Sequence, residues 1–131
     1  MRRFLTTAAA SLLLSASLMA APALAHSDHE HGPNGGILVE ADPYHLELKA
    51  SKDGSVVLWV MDHDNKMLPT AGASATATVL VDKKPVQFTL TADANGTFTG
   101  KGDFKLKHDT IVVIAYKTAE GKLVQGRFEV D

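Results

Sequence analysis

The chain has 131 residues, 13 Lys and Arg against 15 Asp and Glu, and no cysteine. That length supports one small domain with a single core, and the missing cysteines exclude disulfides, thiolate metal chemistry and cysteine catalysis. The slight acidic balance offers no basic patch for nucleic acid.

The first 25 residues, MRRFLTTAAASLLLSASLMAAPALA, place Arg2 and Arg3 before a run of Leu, Ala and small hydroxyl residues. The run ends in Ala23, Leu24 and Ala25, the small-x-small pattern at which a signal peptidase cuts. The sequence therefore predicts a secretory signal peptide over 1–25 and a periplasmic protein starting at His26. Losing Arg2 and Arg3 takes the Lys and Arg count from 13 to 11 against 15 acids. No later apolar run is long enough to span a bilayer.

Residues 26–36 read HSDHEHGPNGG. His26, Asp28, His29, Glu30 and His31 offer imidazole and carboxylate, the ligands that suit a divalent ion such as zinc or copper. A tract so polar has no apolar side chain to anchor it and is expected to be flexible without a ligand. Cleavage after Ala25 would leave His26 first, and its α-amino group and ring together favour copper(II). The sequence GPNGG then turns the chain into the first strand.

From Ile37 to the end the sequence predicts strands. The runs GILVEA, YHLELKA, SVVLWVMD, ATATVLVD, PVQFTLT, GTFTGKG, TIVVIAYK and KLVQGRFEV are short and rich in Val, Thr, Ile and aromatics. Turn residues separate them, among them Asp42-Pro43, Asp64-Asn65, Asn95-Gly96 and Glu120-Gly121. No segment keeps a 3.6-residue apolar period over a helix length. The predicted fold over 37–131 is all-β: a small antiparallel β-sandwich of immunoglobulin-like kind with seven or eight strands, a small closed barrel being the second choice. The piece LPTAGASATA is expected to cross between sheets, because Pro69 and Gly72 interrupt pairing. VVLWVM and IVVIAY are apolar on both faces, which suits central strands.

In YHLEL, His45 and Glu47 are two residues apart and leave the same face of their strand. If GILVEA and YHLELKA pair through Asp42-Pro43, the histidine segment must fold back over the second strand's outer face to share an ion with them. The candidate metal ligands are thus His26, His29, His31, His45 and Glu47. A softer set lies in LWVMDHDNKM: Trp59, Met61 and His63, with Met67 nearby, suit copper(I) or silver(I). His108, in KLKHDT, reads as a surface turn residue.

HGPNGG followed by YHLEL resembles the opening of small periplasmic heavy-metal-binding proteins. It is also similar to the metal-binding N-terminal domain of some periplasmic adaptor subunits of RND-type heavy-metal efflux pumps. The likeness covers residues 29–48 by motif and the remainder by strand pattern and length. It implies a β-sandwich holding metal near the N-terminal loop, at the positions of His31, His45 and Glu47. The chain lacks the helical hairpin and lipoyl-like half of the adaptors, so the resemblance implies a stand-alone binder.

Catalysis finds no support in the sequence: Ser51, Ser55 and Ser74 have no neighbouring His and acid signature. The expected function is the buffering, delivery or resistance chemistry of a divalent heavy metal, with a component of an efflux or uptake system as partner. The reading from another class is an envelope interaction module that docks a partner along a sheet edge.

Overall fold

A computed structural model describes residues 30–130. The signal peptide expected over 1–25, and His26, Asp28 and His29, lie outside the described residues. Eight strands follow one another: β1 (Ile37–Ala41), β2 (Tyr44–Ala50), β3 (Ser55–Met61), β4 (Ser74–Val81), β5 (Lys84–Ala92), β6 (Phe98–Lys101), β7 (Thr110–Lys117) and β8 (Leu123–Val130). Each coincides with one of the eight runs, and no helix occurs among the described residues.

All ladders are antiparallel, in the spatial order β1-β2-β3-β6-β5-β4-β7-β8. The strands form two facing halves, β1-β2-β3-β6 and β5-β4-β7-β8. Among the described residues only two pairs, Thr91 with Thr99 and Ala92 with Phe98, join one half to the other in a strand ladder. At the far end β1 lies against β8, so the single sheet nearly closes on itself. The all-β sandwich thus shares the wrapped character of a small barrel. As predicted, the chain crosses between halves after β3, through Pro69 and a left-handed Gly72 (φ 75°).

Period-two alternation explains which side chains meet inside. In β8, Val124, Gly126, Phe128 and Val130 are buried while Leu123, Gln125, Arg127 and Glu129 are exposed. The facing strands supply Leu46, Leu48, Val56, Leu58, Val79, Val112 and Ile114 to one core. Rings bridge the halves: Phe98 on β6 meets Tyr116 on β7 edge-on at 6.0 Å, and Tyr116 meets Tyr44 on β2 at 5.8 Å. Gly126 permits the final closure, since a Cβ there would stand 2.9 Å from Leu46 Cδ1. The doubly apolar runs, β3 and β7, are interior strands of the sheet, as expected.

The outer face of β1-β2-β3 departs from simple alternation. Register sets Leu38, Glu47 and Trp59 in one row across the three strands and Glu40, His45 and Met61 in the next. Leu38, Glu47 and Met61 are buried although they point away from the main core. A face buried outside the sandwich must be covered by something else, and that covering builds the site.

Candidate functional site

The chain folds back beside β1. Glu30 accepts a backbone hydrogen bond from Leu38 (2.7 Å), and His31 bridges antiparallel to Ile37. Between them the 32–36 turn closes through Gly32 N–H to Gly36 O (3.0 Å) and Gly35 N–H to Gly32 O (3.1 Å). Such a turn leaves backbone donors pointing inward, and each needs an acceptor. Glu47 supplies it. Its Oε2 accepts from Asn34 N–H (3.0 Å) and Gly36 N–H (2.9 Å), and its Oε1 accepts from the Asn34 side-chain amide (3.2 Å). The fit is close enough that a Cβ on Gly32 would collide with Glu47 Oε1.

The fold-back of this segment over β2 is therefore present from Glu30 onward. Glu47 and His45 do leave the same face, yet Glu47 is not open beside His45: its carboxylate is fully buried and engaged by the turn. The difference has a plain physical reason. The inward-pointing N–H groups of a glycine-rich turn need acceptors, and a carboxylate accepts them in strong charge-assisted hydrogen bonds.

His45 meets a second turn, 62–66, which follows β3. Asp62 builds it by accepting the N–H groups of Asp64 (2.9 Å) and Lys66 (3.0 Å) on Oδ1. The Lys66 N–H holds the Asp62 carboxyl below the ordinary carboxylate range, helped by the Asp64 N–H and the nearby His63 and Lys66 charges. Asn65 occupies the left-handed position of this turn (φ 61°), which asparagine tolerates better than most residues. Its Oδ1 stands 2.8 Å from His45 Nδ1. An amide oxygen only accepts, so Nδ1 is the donor in this contact and Nε2 is the ring nitrogen left over. That Nε2 faces Glu40 Oε1 at 3.7 Å.

The imidazole of His45 is 16% exposed and forms one wall of a shallow cleft of about 150 Å³, lined also by Glu40, Asp42, Pro43, Tyr44 and His63. His63 stands on the 62–66 turn with its ring 77% exposed, 3.8 Å from Asp64. His31 is exposed and lies near the other end of the hairpin. It pairs with Ile37, three residues along β1 from Glu40, a separation of about 10 Å along the strand. His31 and His45 are thus not brought together. Among the described residues no three His, Asp or Glu side chains converge on a single point as they stand.

The soft-ligand set is divided. Met61 is buried and Trp59 half-buried on the outer face, whereas His63 lies past the strand end on the turn. Met67 bridges Met61 through the backbone and is exposed. His108 lies in an exposed turn beside Asp109 (3.5 Å), as expected.

Two residues of the cleft went unremarked in the sequence. Glu40 carried a usable signal, because a two-residue turn at Asp42-Pro43 pairs Glu40 directly with His45. Asn65 carried none, since its contact joins residues twenty apart through a turn whose direction no local pattern reports.

Comparison of the chain with protein-family models, with curated proteins and with solved structures finds no match in any of the three.

Proposed function

We propose that this protein binds a divalent heavy-metal ion, zinc or copper, in the periplasm, and serves metal buffering, delivery or resistance as a binder without catalytic chemistry. One observation carries the reading. The Asn65 contact at Nδ1 holds the His45 ring with its Nε2 facing Glu40 on the cleft wall, and a hydrogen bond at the other ring nitrogen is what orients a ligating imidazole in metal sites.

The histidine segment supports it from the other side. At Glu30 and His31 the chain runs antiparallel to β1. His26 and His29, which lie outside the described residues, are the imidazoles proposed to join His45 on one ion. Glu47 serves this site as an anchor: by gripping Asn34 and Gly36 it fixes where the segment leaves the sandwich. Ion release follows from protonation of the imidazoles in acid, or from transfer to an efflux or uptake component with better ligands.

Calorimetric titration of the exported protein with zinc and with copper(II) tests the proposal. Binding should weaken by about a hundredfold or more when His45→Ala is combined with deletion of 26–31. Affinity unchanged in that double variant would overturn it.

A further inference from the structure

We propose that Glu40 and His63 complete, with His45, the sandwich's own half of the ion site, and that Asn65 is its positioning residue. This rests on the metal-binding reading above and names ligands which that reading leaves open.

The case starts from a spacing. His45 Nε2 and Glu40 Oε1 face each other at 3.7 Å on the wall of one cleft, close enough for a positive charge, a proton or a metal ion, to bridge them. Two ligands of a tetrahedral zinc, each about 2.0–2.1 Å from the ion, lie about 3.3 Å apart. The observed pair needs only a few tenths of an ångström of closure to reach that spacing. Glu40 is free to provide it, its side chain being 77% exposed.

His63 is the third ligand. It lines the same cleft from the turn that also carries Asn65. Its ring is 77% exposed and engaged by an exposed Asp64 at 3.8 Å. Swinging it onto an ion therefore costs rotamer freedom and no core packing. Asp42, also on the cleft wall, adds a second negative charge that suits a dication. A mixed set of two imidazoles and a carboxylate selects zinc or copper(II) over calcium or magnesium, which take oxygen ligands.

The test uses the exported protein, with zinc alone or copper(II) alone as the probe. The variants are Glu40→Gln, His63→Ala and Asn65→Gly, with His108→Ala as control. Glycine is chosen at position 65 because it keeps the left-handed backbone and removes only the acceptor. Glu40→Gln and His63→Ala should each weaken binding about tenfold or more, Asn65→Gly should weaken it by a similar factor, and His108→Ala should change it less than about twofold. Nitrogen-15 spectra of the metal-free protein give the readout specific to positioning: the Nδ1–H form of His45 should be lost in Asn65→Gly and kept in His63→Ala. If the unaltered protein binds and none of the three variants weakens it, the ligand assignment fails while metal binding stands. If the unaltered protein binds neither ion, both fail together.

Discussion

At the scale of single residues, the two members of the His-x-Glu pair do different work although they share a strand face. Glu47 is buried under three N–H donors, so its value lies in satisfying them. Glu47→Gln puts an NH₂ group where one accepting oxygen stood, opposite Asn34 or Gly36. It should cost about 1–3 kcal/mol in urea denaturation, the usual loss when a buried donor goes unmet, and should speed exchange of the Asn34 and Gly36 amides. Its metal affinity should fall much less than that of His45→Ala; the reverse ranking would make Glu47 a ligand. Gly32→Ala should resemble Glu47→Gln, because the added Cβ would collide with the carboxylate. Part of this was legible in the sequence. Strand alternation correctly put His45 and Glu47 on one face, and GPNGG correctly read as a sharp turn. Alternation reports which face a side chain leaves from and says nothing of what covers that face, so the junction of the two features stayed hidden.

At the scale of elements, the strands were readable because most local choices agree: β-branched runs, glycine at five of the left-handed turn positions, and polar residues largely outward. What the sequence does not display is which strands lie side by side across the core. The β5-β6 hairpin is the clearest case, since among the described residues it alone joins one half of the sandwich to the other in a strand ladder. Its turn is organised by Asp93, which accepts from the Thr97 hydroxyl (2.7 Å) and from the N–H groups of Asn95 (2.9 Å) and Thr97 (3.2 Å). Those donors, the Thr97 hydroxyl foremost, hold the Asp93 carboxyl below its ordinary value of 3.8. The sign follows: the folded turn favours the ionised form, so its contribution is complete above pH 3.8 and is lost as the pH falls through the lowered value. An NMR titration of the Asp93 carboxyl should give a midpoint below 3.8. A midpoint at or above that value would mean the hydrogen bonds do not hold the turn in solution.

At the scale of the whole molecule, one shared core and a nearly closed sheet predict that the two halves unfold together. Trp59 fluorescence reports β3 and far-ultraviolet circular dichroism reports all strands; their denaturation curves should coincide, and two separated transitions would contradict the single core. Phe98, buried and in edge contact with Tyr116 across the halves, is the side chain to remove. Phe98→Ala should cost about 3–5 kcal/mol and keep the transition single. A sandwich of this kind can hold His45 and the 62–66 turn in place before any ion arrives, as the proposed site requires. An ion at about a hundred times its dissociation constant should then raise stability by about 2.7 kcal/mol. The most direct test of the account is the anomalous scattering of zinc or copper in a crystal of the loaded protein. The account predicts a peak about 2.0–2.2 Å from His45 Nε2, with Glu47 still bound to Asn34 and Gly36. A peak elsewhere on the molecule, with His45 bare of metal, would contradict it.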